Sequence, residues 1–262
     1  MNSQKVLLDL YDRDQRIEVE YAGARREALD HVVRHIGLWS PRGTVLYSRL
    51  TEANADDVIE QQIADFEQLG QDFEWKLFAH DTPLDLKDRL AARGFVISED
   101  EAVMVLDLQN LPDRLRSTPE QDVRPITSAD QIRMMLSVQE TVWGHDYTNL
   151  RNDLTAELRD HPDWIRIFAV YVNDRPVSSA WMRYTPRSQF ASLWGGSTLP
   201  EYRGQGHYTV LLAVRAQAAL QRGLRYLTVD ASHMSRPILQ KLDFDIISMV
   251  YECNWIRAKS EI

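Results

Sequence analysis

Between Phe190 and Gly223 the chain runs from FASLWGGST (residues 190–198) through LPEYRGQG (199–206) into an alanine- and leucine-rich stretch that a glycine closes. A strand that must enter a long helix through two glycines leaves the backbone few options. Gly204 and Gly206 can take positive φ, and neither places a Cβ in the way of a ligand. The helix opening at His207 offers unpaired N–H groups and the positive end of its dipole. Together these make an anion seat suited to phosphate, and Arg203 adds a charge that pairs bidentately with phosphate oxygens. No Lys-Ser/Thr follows, so this is not a Walker loop. His207, Tyr208 and Thr209 after Gly206 exclude the G-x-G-x-x-G dinucleotide fingerprint. The plain alternative is a connector turn. Upstream, Gly195 and Gly196 inside a strand mark a bulge or a close backbone approach, or else relieve packing beside Trp181 and Trp194.

The rest of the chain alternates β-rich runs with helical spacing, which predicts an α+β (α/β) fold. In the first half, KVLLDL (5–10) and IEVEY (17–21) read as strands. Leu29, Val32, Val33 and Ile36 predict a helix over 25–39. A strand is expected at 43–50, a helix at 54–69 with Ile59, Ile63 and Phe66 inward, and a strand at 74–80. A helix follows with Pro83 as its first residue and Gly94 as its stop, then a strand at 102–108. The proline-bearing stretch around Pro112 and Pro119 predicts a linker, giving domains 1–112 and 122–262 joined by 113–121.

In the second half, Ser128 caps a helix running to Trp143, and another covers 150–160. Strands 165–172 and 177–184 form a hairpin through Asn173–Pro176. Helix 207–222 places Val210, Leu211, Val214, Ala218 and Leu220 on or near its buried side. Strand 226–230, a helix at 236–242 and strand 246–255 complete the order. LKDRLAARGF (86–95) and ILQKLDF (238–244) share an L-x-x-x-[GD]-F exit into a strand, which suggests duplication.

Residues 193–244, and more loosely 120–256, resemble the GNAT acetyltransferase superfamily. The six positions of its signature [QR]-x-x-G-x-[GA] are occupied by Arg203, Gly204, Gln205, Gly206, His207 and Tyr208. The resemblance implies two tandem GNAT-like domains, each a mixed, mostly antiparallel sheet flanked by helices. The first, reading GTVLYSRLTEAN over 43–54, would be a degenerate copy. It further implies acetyl-CoA as co-substrate, its pyrophosphate on the signature loop. Ser197, Thr198 and Leu199 would line the pantetheine arm, and Ser232 would touch it. The implied reaction is direct attack by a primary amine of a small molecule or peptide.

Three positions depart from the pattern. Tyr208 stands where Gly or Ala is usual, and Leu239 where many members carry the tyrosine that protonates the thiolate. Asp243 replaces a glycine. The general base is open among Glu140, His145, Asp146 and His233, each of which is equally at home as a solvated or capping residue. The rival reading is a non-catalytic acyl-CoA-binding protein, supported by Leu239 and Tyr208.

Charge and composition narrow the partners. Thirty basic against 39 acidic residues leave −9, a field that repels nucleic acid and mildly steers cationic amines inward. No apolar run reaches the length of a membrane span. MNSQKVLLDLYDRDQRIEVE lacks a cleavage site, and with the single Cys253 this predicts a cytoplasmic protein without disulfides; a monomer or homodimer is expected. His31 and His35 stand four apart without a third ligand, so no metal is expected.

Overall fold

Ser3–Tyr11 is a helix (α1) that runs into a π-helical turn, Asp12–Ile17, in a computed structural model describing residues 3–116 and 120–257. The strands expected at 5–10 and 17–21 are therefore absent. Leu7, Leu8 and Tyr11 are the more buried residues while Val6 and Asp9 are exposed, which is helical spacing misread as alternation. The turn is anchored by Arg16, 1% exposed, whose guanidinium meets Asp81 at 2.7 and 2.8 Å and Asp12 at 2.9 Å. It also lies 3.9 Å from the centroid of Phe78. A guanidinium so deeply buried persists only with this much pairing.

Residues 25–39 form a hairpin, not the expected helix: β1 (Ala24–Ala28) and β2 (Val32–Gly37) pair antiparallel, Ala28 opposite Val33. Apolar residues at 29, 32, 33 and 36 fit both periods, and the β-branched Val32, Val33 and Ile36 favour the strand. Leu29, 45% exposed, sits at the turn. His31 is exposed there, while His35 is buried on β2 with Nε2 3.1 Å from the Val19 carbonyl.

From β3 (Arg42–Ser48) the chain crosses through α2 (Ala55–Leu69) to β4 (Asp72–Phe78), which pairs parallel to β3. Helix α3 is Leu86–Ala92, with Asp85 at its N-cap. Pro83 lies outside it, because its carbonyl accepts from Leu86 N at 2.9 Å and closes a turn first. Strands β5 (Val96–Ile97) and β6 (Glu101–Asp107) follow.

The second half keeps most of its expected order. It contains α4 (Asp113–Arg116), β7 (Asp122–Pro125), α5 (Ala129–Trp143) and α6 (Thr148–Asp160). Then come β8 (Ile165–Val172), β9 (Arg175–Tyr184), β10 (Phe190–Thr198), α7 (His207–Gln221) and β11 (Tyr226–Ala231). Helix α8 (Arg236–Gln240) and β12 (Asp245–Trp255) close the chain.

Contacts divide the described residues into two units. The first takes those of Met1–Val103, Asp230–Met234 and Ile246–Ile262, the second Met104–Val229 and Ser235–Asp245. This departs from contiguous halves at 1–112 and 122–262, because strand pairing overrides chain order. Val250–Trp255 of β12 pair antiparallel with Phe78–Phe73 of β4. Met104 O accepts from Thr228 Oγ1 at 3.2 Å, and Leu108 N donates to Arg225 O at 2.8 Å. Of the expected linker, residues 113–116 are helical with Leu115 buried, and 117–119 lie outside the described residues.

Within the first unit the sheet order is β1-β2-β3-β4-β12; within the second it is β7-β8-β9-β10-β11. In the second, Ile132, Met135 and Leu136 of α5 and Leu154 of α6 pack on Ile165, Ile167 and Ala169. Leu211 of α7 packs with Val170, Val177 and Ala180. Leu220 is exposed, contrary to its expected burial. Both units repeat a strand, a helix and a parallel strand, and both leave a helix through a positive-φ residue, Gly94 or Asp243. The following Phe95 and Phe244 donate back to Leu90 O and Leu239 O. Among the described residues no helix is long and apolar enough to cross a membrane.

Candidate functional site

Strand β10 pairs with β11 only from Phe190 opposite Tyr226 to Ser192 opposite Thr228. Against β9 its register runs to Trp194 opposite Trp181 and resumes at Ser197 opposite Ser179. Two residues on β10, Gly195 and Gly196, thus stand against one on β9, Ala180, which is a bulge. Gly195 has φ 59°, and a Cβ on it would fall inside the Trp181 ring. A Cβ on Gly196 would stand 2.8 Å from Tyr208 Cε2. Bulge and tight packing are therefore one feature here.

A buried polar network braces the bulge. Gln139 of α5 donates to the Gly195 carbonyl and, at 3.1 Å, to Ser179 Oγ. It accepts from Ser197 Oγ at 2.8 Å, and that oxygen also accepts from Trp143 Nε1 at 2.9 Å. Ser178 Oγ donates to the Ser197 carbonyl at 2.9 Å. The Ser197 hydroxyl is thus consumed within the protein. Sequence reasoning missed Gln139, whose only signal was an amide among the inward positions of an amphipathic helix.

Beyond the bulge, Pro200–Tyr202 makes one 3₁₀ turn, and Gly204 and Gly206 take φ 76° and 84°. Nothing lies within 4 Å of a Cβ built on Gly204, so conformation and not crowding requires that glycine. Gly206 is the N-cap of α7 and carries no side-chain cap. The first-turn N–H groups consequently have no intrahelical acceptor and no capping hydrogen bond from the Gly206 position. Arg203 is exposed, its Nε donating to the Thr198 carbonyl at 3.2 Å. His207 is 6% exposed with neither ring nitrogen partnered, and burial lowers its pKa. A guanidinium and a helix N-terminus together suit a diphosphate.

Residues 108–230 match the family model described as an acetyltransferase (GNAT) domain. That segment is a GNAT domain. The whole chain is similar in fold to a GCN5-related N-acetyltransferase from Kribbella flavida. The identity is 14% and the TM-score 0.66, over 97% of this chain and 95% of that one. It is likewise similar to a tandem GNAT protein from the clavulanic acid biosynthesis pathway, at 12% identity and TM-score 0.64, over 94% and 87%. A GCN5-related N-acetyltransferase from Sphaerobacter thermophilus gives 14% and 0.57, over 90% and 85%. No curated protein matches the sequence.

Within the GNAT domain the expected binding residues cluster unevenly. Arg203 to Tyr208 form the loop and helix start. Leu199 is 1% exposed and packs with Val138, Val177 and Leu211, so its side chain belongs to the core. Gln205 Nε2 folds back to the Glu201 carbonyl at 3.2 Å. Ser232 and His233 fall in the first unit, where His233 is exposed with Nε2 3.7 Å from Asp100 Oδ1. Glu140 is exposed and makes no side-chain hydrogen bond among the described residues. Asp146 accepts from Thr148 N at 2.8 Å, and its bonds to Thr148 hold its carboxyl low, as suits a residue that opens α6. Leu239 is fully buried.

The first unit holds a cluster that the sequence did not advertise. Lys76 of β4 is ion-paired to Asp230, and the half-buried Glu74 carboxyl is pushed up by desolvation. Glu101 is pushed up to about 7 by burial and then by Asp230 and Glu252. Among the described residues no group of three or more His, Cys, Asp and Glu is arranged to hold a metal ion.

Proposed function

We propose that this protein is an acetyl-CoA-dependent N-acetyltransferase acting on a primary amine of a small molecule or peptide. The observation that carries this reading is the bulged β10, unpaired from β11 beyond Ser192, leading into an uncapped helix N-terminus. Acetyl-CoA supplies an acyl thioester. On the protein side, Arg203 and the amides from Gly204 to Tyr208 hold the diphosphate. The backbone of Ser197, Thr198 and Leu199 lines the arm, and the amides near the bulge stabilise the oxyanion as the amine attacks. The first half of the sequence, read as a degenerate copy, has no Arg-x-x-Gly-x-[GA] match between its middle strand and helix. The net charge of −9 favours a cationic acceptor through steering.

The test is calorimetric titration with acetyl-CoA, ATP and NAD, followed by thiol release with a panel of amines. Selective acetyl-CoA binding that Arg203→Ala weakens and Gly206→Trp abolishes is expected, with amine-dependent turnover. No binding at millimolar acetyl-CoA would sink the proposal. Buried Leu239, which has no proton to give, favours a second reading as a non-catalytic acyl-CoA-binding protein. Binding without transfer to any amine would select that one.

A further inference from the structure

Two departures from the GNAT signature compensate each other. Resting on the acyl-CoA reading above, we infer that Tyr208, backed by Arg215, donates the proton to the leaving thiolate in place of Leu239. Amine attack forms a C–N bond, and the C–S bond then breaks with its electron pair going to sulfur. The Tyr208 hydroxyl proton moves to that sulfur and the free thiol leaves. The acceptor's ammonium loses one proton to solvent before its free amine attacks, the nitrogen of the adduct loses a second to solvent, and solvent reprotonates the tyrosinate.

The geometry supports this assignment in three ways. Tyr208 is the second residue of α7, and its ring edge lies along the bulge. Its Cε2, Cδ2 and Cζ stand 2.8, 3.5 and 3.8 Å from where a Cβ on Gly196 would be. The phenol therefore borders the stretch of β10 that leads into the arm-binding residues. Its hydroxyl makes no hydrogen bond among the described residues, and it is not one of the sealed, unpartnered atoms. A proton donor with no acceptor in the resting protein is free for one that arrives with a ligand.

Arg215 is the independent observation. About two turns further along α7, it is 2% exposed, with Nε donating to the Leu211 carbonyl at 2.8 Å and Nη1 to the Trp181 carbonyl at 3.2 Å. Among the described residues no carboxylate pairs with it, and Tyr208 is the ionisable group whose charge acts on it. A buried cation held by carbonyls alone is costly. It becomes an asset when the neighbouring phenol turns into an anion. Burial keeps Tyr208 protonated at rest, so the donor is loaded before the thioester arrives.

The experiment compares wild type with Tyr208→Phe and Tyr208→Gly. Tyr208→Phe keeps the ring and removes only the hydroxyl. Acetyl-CoA affinity by calorimetry should stay within about twofold, while kcat for the best amine of the panel falls about 100-fold. The deficit should shrink when S-phenyl thioacetate, whose thiol leaves without help, replaces acetyl-CoA. A structural role would not give that leaving-group dependence. Tyr208→Phe turning over at the wild-type rate overturns the inference and leaves the acyl-CoA reading intact. Tyr208→Gly binding more tightly and reacting faster would make Tyr208 an obstruction, which also overturns it. A wild type that binds acetyl-CoA and acetylates nothing removes the transferase reading and this step together.

Discussion

Glu101 offers a direct check on how charge is arranged in the first unit. Its carboxyl on β6 is pushed from the ordinary 4.5 to about 7, by burial first and then by Asp230 and Glu252. The folded protein thus keeps a proton that the unfolded chain releases. The associated stability is complete below the unfolded pKa of 4.5 and is lost as pH rises through about 7. At 1.36 kcal/mol per pKa unit the gap corresponds to about 3.4 kcal/mol, and screening at a carboxyl not sealed from water cuts this to about 1–2 kcal/mol. Glu101→Gln keeps the shape and cannot ionise. Urea melts should show the variant gaining that amount on the wild type between about pH 5 and about pH 8, where the wild type declines. Wild-type and variant stabilities running parallel across that range would mean Glu101 titrates like an unfolded carboxyl, and the reasoning about its surroundings would fail.

The other expectations concern packing and the bulge. Gln139→Ala strips partners from the Gly195 carbonyl and the Ser179 and Ser197 hydroxyls, and should cost about 1–3 kcal/mol in urea melts together with weaker acetyl-CoA binding by calorimetry. Gly195→Ala drives a methyl into Trp181 at positive φ, so a lowered thermal midpoint of about 1–3 kcal/mol equivalent is expected. Asp81→Asn leaves the Arg16 guanidinium buried without its main partner, and chemical denaturation should register a loss of about 3–5 kcal/mol.

What could be seen in the sequence depended on how local its cause was. The α7 boundaries were legible because Gly206 and Gly223 act on their own neighbours, and Ser128 likewise announced α5. Residues 25–39 misled because apolar residues at 29, 32, 33 and 36 suit a helix and a hairpin equally, and only pairing decides. The signature loop was visible for the same reason as α7. Its brace was not, since Gln139 lies 56 residues from Gly195 and nothing local links them. The Glu101 cluster was equally hidden: its members sit on four strands and acquire unusual proton affinity only when brought together.

One consequence follows from where β12 pairs. Strand β4 has β3 on one edge, but its other edge gains β12 only after residues 108–230 have been synthesised. Until then β4 presents open amides and carbonyls to whatever is nearby, the situation in which a nascent chain sticks to its neighbours. Maturation of the first unit thus waits on β12, a strand of its own drawn from the far end of the chain, and a nonsense mutation late in the message would damage the beginning of the protein.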